Sequence, residues 1–390
     1  MLKENEKYNN EAVDTPSFTV TVIGGGLAGL SLSVLLSKAG YKTILFEKEK
    51  YPFQKVCGEY ISMESWNFIE RLGLDLSELH LPILKKLIVS SPDGSYIETN
   101  LDLGGFGVSR YFLDNQLKEI AVKNGVIICQ ETKVSEVNFD DEKFIVRFNG
   151  GQIYSAVVAA CFGKRSNLDI KWKRSFIQQK AGKLNNYIGV KYHIKTEFPP
   201  DTIALHNFKN GYCGISKVEN DQYCLCYLTT AQNLKDNHNS IKEMEKNVLF
   251  TNPFLKKIFS ESEFLFEEPV TISQISFDKK SQIENHVLML GDAAGMITPL
   301  CGNGMSIAFR TSGIAFEQIH LFLQKKMSRA KMEINYTKEW KRNFQVKLKN
   351  GRRIQYFFGK ERLTNLFIRT LKHSPFMIRR LVKLTHGNDF

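Results

Sequence analysis

Residues 18–29 read FTVTVIGGGLAG, a run of β-branched and aromatic residues that stops at a glycine-rich turn. The next residues, LSLSVLLSKAG (30–40), have the apolar content of a helix that ends at Gly40, and KTILFE (42–47) has that of a second strand. A strand, a glycine turn, a helix and a strand that ends in an acid form the βαβ unit that binds a dinucleotide. The segment therefore predicts an α/β fold with a Rossmann-like sheet.

The glycines of this turn have separate predicted roles. We expect Gly24 to allow the tight turn, Gly26 to let a pyrophosphate approach the backbone, and Gly29 to let the helix pack closely on the sheet. The start of the helix offers unpaired N–H groups and a positive dipole end to the phosphates. Glu47, at the end of the second strand, is placed to accept hydrogen bonds from ribose hydroxyls.

A second segment, HVLMLGDAAGMITPLCGNGMSIA (286–308), repeats the order of strand, small-residue turn and helix. Asp292 follows the predicted strand, where a carboxylate can hold a hydroxyl group of a sugar alcohol. Gly302 and Gly304 open a predicted long helix, whose N-terminus attracts partial negative charge. In a flavin, these two groups are the ribityl chain and the N1–C2=O edge of the ring.

The composition is that of a folded protein large enough for two packed units. Of 390 residues, 43% are hydrophobic and 24% charged. The sequence contains no apolar run of about 18 residues, and its polar N-terminus lacks the apolar core of a signal peptide. Seven cysteines, an odd number without metal-ligand spacing, favour the reducing cytoplasm and predict no metal site. We predict a cytoplasmic protein.

Three stretches together resemble the FAD-dependent oxidoreductases of the para-hydroxybenzoate hydroxylase and geranylgeranyl reductase superfamily. They are GGGLAG with Glu47, GVSRYFLDNQLKEIAVKNGV (107–126) and GDAAGMITPLCGNGMSIA (291–308), and the resemblance spans most of residues 18–320. It implies bound FAD, a role for Arg110 in holding it, and a segment at Lys133 and Val134 that runs past the adenine. The alternative for Arg110 is a solvated charge at the start of a helix.

The motifs and the resemblance give one set of expected FAD contacts. In chain order, these are Gly24, Gly26, Leu27, Ala28, Gly29, Glu47, Lys48, Arg110, Val134, Gly291, Asp292, Gly302, Asn303, Gly304 and Met305.

The sequence departs from the family at AACFGKRSNLD (159–169), where Phe162 stands in place of an aspartate before Gly163, while Ser166 keeps its place. The resemblance gives that aspartate a part in flavin contacts and nicotinamide delivery, so the route of flavin reduction stays open. The sequence has no second G-x-G-x-x-G unit and hence predicts no separate NAD(P)H domain. We expect NAD(P)H as a transient electron donor, or another donor in its place.

The expected architecture has three parts. Residues 17–80, 104–168 and 280–322 form a discontinuous FAD-binding domain. Residues 81–103 and 169–279 form a substrate domain, in which alternating segments between 185 and 230 predict an antiparallel sheet. Residues 323–390 form a basic helical C-terminal region.

The stretch KVCGEY (55–60) bears on the reaction. Its resemblance to geranylgeranyl reductases implies that Cys57 lies at the open face of the flavin, as a proton donor or as a packing residue, with Glu59 as a less favoured donor, a proton relay or a solvent-facing group. A reductase would reduce a double bond of a hydrophobic substrate through reduced flavin. The alternatives are a monooxygenase that hydroxylates an aromatic or polyketide-like substrate, and a non-enzymatic lipid carrier, which the intact glycines and Asp292 disfavour.

The C-terminal region is strongly basic. Residues 321–390 carry 18 Lys and Arg against 4 Asp and Glu, a difference of +14. Basic amphipathic helices rest on anionic membranes, so we expect a peripheral anionic membrane surface or an acidic carrier protein as partner. A solvated face packed on the flavin domain is an equal alternative. Nucleic acid is disfavoured because no recognition motif accompanies the charge.

Overall fold

The computed structural model describes residues 17–178, 185–296, 304–357 and 360–372, together with 374, 377 and 378. Its strands are β1 Ser17–Ile23, β2 Thr43–Phe46, β3 Tyr60–Ser62, β4 Ile83–Ser90, β5 Tyr96–Gly107, β6 Ile127–Cys129, β7 Val134–Asp140, β8 Lys143–Phe148, β9 Gly151–Ala160, β10 Asn185–Lys195, β11 Thr202–Phe208, β12 Gly211–Lys217, β13 Tyr223–Thr230, β14 Glu263–Phe264, β15 Val270–Ser276, β16 Ile283–Glu284 and β17 Val287–Met289. Its helices are α1 Leu27–Lys38, α2 Trp66–Leu72, α3 Arg110–Lys123, α4 Asn167–Lys171, α5 Ser175–Gln178, α6 Ala231–Lys235, α7 Ile241–Val248, α8 Pro253–Glu261, α9 Gly304–Leu323, α10 Arg329–Phe357 and α11 Glu361–Lys372.

The first sheet has the Rossmann-like arrangement that the glycine turn predicts. Its strands lie in the order β16-β17-β9-β1-β2-β6, and β7 and β8 extend it as a meander from β9. The strands β17, β9, β1, β2 and β6 run parallel to one another, with Val20 of β1 beside Val157 of β9, whereas β16 and β8 pair antiparallel with β17 and β9. Helices α1, α3 and α9 pack on this sheet through one large apolar core. The predicted α/β fold class is confirmed.

The second sheet is mainly antiparallel and forms a floor beside the first. Its strands lie in the order β14-β10-β13-β12-β11-β4-β5-β3, with β15 paired to β10. Strands β4 and β11 are parallel neighbours, although 111 residues lie between the end of β4 and the start of β11 in the sequence. One face of this sheet packs against α6, α7 and α8 through a second apolar core. The other face is turned toward the first sheet and forms part of the site described below.

The last two described helices belong to different parts of the molecule. Helix α10 buries Met332, Tyr336, Trp340 and Phe344 in the core of the first sheet, and the Tyr336 hydroxyl donates to the Met289 carbonyl at 2.6 Å. Helix α11 instead packs on β5 of the second sheet. No helix in the described ranges is both long enough and apolar enough to cross a membrane. The division into three parts stays a prediction, but the packing of α10 crosses one of its borders.

Candidate active site

The first glycine turn packs as tightly as its sequence predicts. Gly24 has φ of +103°, and a Cβ atom there would lie 2.6 Å from the Cys161 carbonyl carbon. A Cβ atom at Gly29 would lie 2.0 Å from the Gly24 carbonyl oxygen. Both positions therefore need glycine for the fold itself, because a side chain at either one would overlap backbone atoms.

Gly26 has a different environment, which suits a ligand. A Cβ atom there would meet only Arg110 Nη2 at 3.6 Å and Lys55 Nζ at 3.9 Å, both at ordinary contact distance. Gly26 is also the N-cap residue of α1, so the unpaired N–H groups of the helix start point to the same region. Open space, two cations and a helix N-terminus are the features that bind a pyrophosphate.

The two cations are held in place by one buried carboxylate. Asp114 accepts from Arg110 Nε at 2.8 Å and Nη2 at 2.8 Å, and from Lys55 Nζ at 2.8 Å. Burial raises the pKa of Asp114, but the charges of Arg110 and Lys55 outweigh it and lower that pKa below its ordinary value. The Arg110 side chain is only 13% exposed, so the alternative of a solvated charge is wrong. Lys55 was not predicted, because a single lysine in an irregular segment follows no pattern.

Glu47 closes the end of β2 as predicted, but its carboxylate already has backbone partners. It accepts from the Gly25 N–H at 2.7 Å and the Glu49 N–H at 3.1 Å, while the Thr132 N–H donates to the Glu47 carbonyl at 2.9 Å. The segment that leads to Val134 therefore lies beside Glu47. The Val134 side chain is buried in the core, and Lys48 is exposed and paired with Glu49. Direct contacts of Lys48 and Val134 with the cofactor stay predictions.

The second predicted segment lies at the end of β17, next to the end of β9. Met289 pairs with Ala160, Gly291 takes φ of +56°, and α9 begins at Gly304. The predicted contacts at Gly302 and Asn303 lie outside the described residues. Lys280, which the sequence did not predict, donates a hydrogen bond to this turn.

Lys280 joins the two loops that follow β9 and β17. Its ammonium group donates to the Lys164 carbonyl at 2.7 Å and the Asp292 carbonyl at 2.9 Å. Burial lowers the pKa of Lys280 to about 8, although the Asp292 carboxylate acts in the opposite direction. This lysine therefore positions the Asp292 turn relative to the Gly163 loop.

One cavity of about 290 Å³ brings the two predicted sites together. The predicted residues that line it are Gly26, Leu27, Ala28, Cys57, Arg110, Gly291, Asp292, Gly304 and Met305. The second sheet supplies an apolar side together with Met296, which follows the turn after β17. The residues of the sheet are Leu87, Leu101, Ile203, Leu205, Tyr212, Leu228 and Ile275. A polar cofactor end and an apolar substrate end are thus parts of one continuous space.

The KVCGEY segment crosses this cavity and is anchored by Glu59. Cys57, Gly58 and Glu59 line the cavity, and the Glu59 side chain is fully buried. Its carboxylate accepts from Lys191 Nζ at 2.5 Å and the Arg110 N–H at 2.7 Å, and lies 2.6 Å from His193 Nε2. The expectation that Glu59 could face solvent is wrong.

Burial raises the pKa of Glu59, but Lys191 and His193 outweigh it and lower that pKa below its ordinary value. The carboxylate is therefore ionised and paired, which makes it a structural anchor and not a proton donor. His193 is a hydrogen-bonded partner of this anchor.

Glu59, His193 and Cys224 also form a group whose ligand atoms lie within 4.8 Å of one another. Lys191 already pairs with Glu59, and Cys224 Sγ donates to the Cys57 carbonyl at 3.2 Å. Because a buried ammonium group repels a metal cation, we interpret the group as an ion-pair network. It ties β10 and β13 of the second sheet to the segment that carries Cys57.

The altered segment after β9 also has a clear structure. Phe162 packs near Trp172, with ring centroids 6.4 Å apart, and Gly163 and Lys164 line the cavity. Ser166 caps helix α4 in a capping box with Asp169. The place of the missing aspartate is therefore occupied by an apolar ring, and Ser166 serves the local helix.

Three features together define a flavoprotein oxidoreductase. They are a glycine turn with a cation pair, an acid-bearing turn at the end of a parallel strand, and a shared cavity against an antiparallel sheet. The chain belongs to the family described as FAD binding domain, whose model matches residues 17–339. FAD fits the residues present, because the open position at Gly26 faces two cations and the two predicted sites share one cavity. The protein is therefore an FAD-dependent oxidoreductase, and the alternative of a non-enzymatic lipid carrier is not supported.

Relatives of the chain have several functions. It is 24% identical over 382 residues to conditioned medium factor receptor 1 of Dictyostelium discoideum, covering 87% of this chain and 72% of that protein. It is 23% identical to a digeranylgeranylglycerophospholipid reductase of Methanococcus vannielii, covering 83% and 82%. It is 22% identical to a kynurenine 3-monooxygenase of Christiangramia forsetii, covering 78% and 73%.

Solved structures share the fold at low identity. A flavoprotein/dehydrogenase from Cytophaga hutchinsonii has a TM-score of 0.76 at 17% identity, over 94% of this chain and 92% of that one. A geranylgeranyl bacteriochlorophyll reductase-like protein from Thermoplasma acidophilum has a TM-score of 0.76 at 16% identity, over 95% and 96%. The flavin-dependent brominase Bmp2 has a TM-score of 0.77 at 19% identity, over 95% and 93%.

Proposed function

We propose that the protein reduces a carbon–carbon double bond of a hydrophobic substrate, in a reaction like that of the geranylgeranyl reductases. The observation that carries this proposal is the position of Cys57, a thiol on the wall of a cavity with a cofactor end and an apolar end. The likeness to a digeranylgeranylglycerophospholipid reductase supports it.

Residues of the first sheet would hold FAD. The helix start at Gly26, with Lys55 and Arg110, would bind the pyrophosphate, and Glu47 the ribose. Asp292 would bind the ribityl chain, and the N-terminus of α9 would stabilise negative charge on the ring. When bound and reduced, FAD supplies a hydride, that is, the two electrons of the reduction.

Cys57 would supply the proton. The π bond of the substrate breaks, and two C–H bonds form, one to the hydride and one to the proton from Cys57 Sγ. The transfer would leave Cys57 as a thiolate, and water that enters after product release would return the proton. NAD(P)H is the proposed reductant that restores reduced FAD, by transient binding at the same cavity.

Substitution of Cys57 tests the proton donor. We expect Cys57→Ala to lower the rate of substrate reduction by about 100-fold or more, the usual contribution of general acid catalysis. FAD content and the rate of flavin reduction should stay unchanged, and Cys57→Ser should retain part of the activity. Cys226→Ala, at another cysteine of the cavity wall, is the matched control and should turn over normally. Equal turnover by wild type and Cys57→Ala would make Cys57 a packing residue.

The reaction class is tested with the photoreduced protein. Under anaerobic conditions we expect polyprenyl alcohols to reoxidise the flavin and gain two hydrogens. A second arm admits oxygen to the same protein with a panel of aromatic compounds. Hydroxylation of an aromatic compound in that arm, with no polyprenyl reduction in the first, would favour the monooxygenase, for which the likeness to a kynurenine 3-monooxygenase speaks.

A further inference from the structure

Helix α11 has an unusual outer face. Its inner face buries Ile368 and Leu371, whereas Leu363 and Leu366 are 44% and 64% exposed. Residues three apart are neighbours on a helix surface, so these two leucines form one exposed apolar patch. Single exposed leucines are common on soluble proteins, but a pair on the outer face of an amphipathic helix needs a reason.

The charges around the patch are mainly basic. Arg362, Arg369 and Lys372 are all exposed on α11, against one acid, Glu361. Arg369 also pairs with Asp93, with 2.6 Å between Nη2 and Oδ2, and its side chain is still 66% exposed. The helix lies within the segment 321–390, whose net formal charge is +14 by the count given above. A leucine pair within basic residues is complementary to an anionic lipid surface, which accepts apolar side chains and attracts cations. An acidic protein would match the charge, but it would not by itself explain the exposed leucines.

The inner face of α11 is connected to the cavity. Ile368 and Leu371 pack in a cluster with Val89 and Ile97, and Leu87 and Leu205 contact this cluster while they also line the cavity. The strand register explains this, since Leu87 pairs with Ile203 and Val89 with Leu205 on the same sheet face. The same face of β4 and β11 therefore lines the cavity at one end and packs against α11 at the other.

We propose that the outer face of α11 rests on an anionic lipid bilayer and that the apolar end of the cavity, beside α11, takes its substrate from that bilayer. The second half rests on the proposed function, because it requires a hydrophobic substrate. The first half concerns binding alone and can be measured without turnover.

The binding experiment uses the full-length protein with bound FAD. It is sedimented with vesicles of phosphatidylcholine, or of an equal mixture of phosphatidylcholine and phosphatidylglycerol, at low and high salt. We expect binding to the anionic vesicles only, and weaker binding at high salt because salt screens the charges. Failure of wild type to bind anionic vesicles at low salt would overturn the proposal, whether or not the protein bound an acidic partner.

Two double variants separate the patch from general hydrophobicity. Leu363→Glu with Leu366→Glu should lower the vesicle partition coefficient by at least about tenfold, since both leucines would leave the apolar phase. The matched control is Ile334→Glu with Val346→Glu on α10, where Ile334 is 62% exposed and Val346 is 67% exposed. It should bind within about twofold of wild type. Equal binding by wild type and the α11 variant, or an equal loss in the control, would contradict the assignment to α11.

A pair of activity measurements tests the route of the substrate. With geranylgeraniol dissolved in anionic vesicles, the α11 variant should show a raised KM, whereas the same alcohol in detergent should give the wild-type value. No turnover by wild type in either medium would reject the proposed reductase reaction and leave the vesicle result standing. A KM unchanged in vesicles, despite lost binding, would reject the route through the bilayer.

Discussion

At the scale of single residues, the glycines show what a sequence can predict. The roles of Gly24 and Gly29 depend on backbone angles and close contacts within a short segment, so the spacing alone indicates them. The anchor Glu59 could not be predicted in the same way, because its partners Lys191 and His193 lie 132 and 134 residues away. Only the folded second sheet brings those charges together.

Gly26 offers a test of cofactor binding that leaves the fold intact. We expect Gly26→Val to be purified folded but nearly colourless, because its side chain fits the open space yet fills the position of the pyrophosphate. The ratio of flavin to protein absorbance measures the loss, and circular dichroism checks the fold. Gly214→Ala, at a cavity position on β12 with ordinary contact distances, should remain yellow. Full FAD occupancy in Gly26→Val would remove this turn from the phosphate site.

At the scale of elements, the Asp292 turn is joined to the Gly163 loop by a residue that belongs to neither of them. Strands β1 and β17 are separated by β9, and the Lys280 ammonium group bridges the loops after β9 and β17. The sequence predicted the two cofactor-binding turns, since each has a local pattern of strand, small residues and helix. It did not predict the bridge, because a buried lysine is recognisable only by the carbonyl groups around it.

Lys280 should also give the protein a pH-dependent stability. Its pKa in the folded state is about 8, against 10.5 for an ordinary lysine. At pH values between these two pKa values, the unfolded chain holds a proton that the folded chain lacks. The free energy of unfolding therefore increases with rising pH. Relative to Lys280→Met, we expect wild type to gain about 1 to 3 kcal/mol between roughly pH 8 and pH 10.

Urea unfolding over that pH range measures the gain, with Lys279→Met, at the exposed neighbour, as the control that should follow wild type. If the free energy of unfolding changed with pH in the same way in wild type and in Lys280→Met, the pKa of Lys280 would not be lowered by folding, and the prediction would be wrong. The same variant should also retain less FAD, because the Asp292 turn loses its brace.

At the scale of the whole molecule, the C-terminal helices do not form one unit. Helix α10 completes the core of the first sheet. Its Trp340 packs so closely on Gly295 that a Cβ atom at Gly295 would lie 3.0 Å from the Trp340 ring. Helix α11 covers part of the second sheet. The basic composition predicted a helical region, but charge alone could not assign each helix to a sheet, because that depends on which buried side chains meet.

Two truncations separate these roles. A chain that ends at Leu323 loses five large buried side chains of α10, those of Met332, Tyr336, Trp340, Phe344 and Leu348. Each is worth about 2 to 5 kcal/mol, so their sum approaches or exceeds the total stability of an ordinary protein. We expect it to be insoluble and free of FAD. A chain that ends at Phe357 should keep FAD and melt at a lower temperature. Recovery of a yellow, cooperatively melting protein from the shorter chain would contradict the place of α10 in the core.

The discontinuous first sheet has a consequence for synthesis. Strand β1 and helix α1 leave the ribosome early, but β17 and α9, which complete the same sheet and cavity, follow more than two hundred residues later. Between them the chain must make all the strands of the second sheet, of which β4 and β11 also pair over a long distance. Such non-local pairings form slowly, and domains fold as units once their residues are available. A nascent chain therefore exposes its first apolar strands until nearly the whole protein has been made, and the cofactor can enter only then.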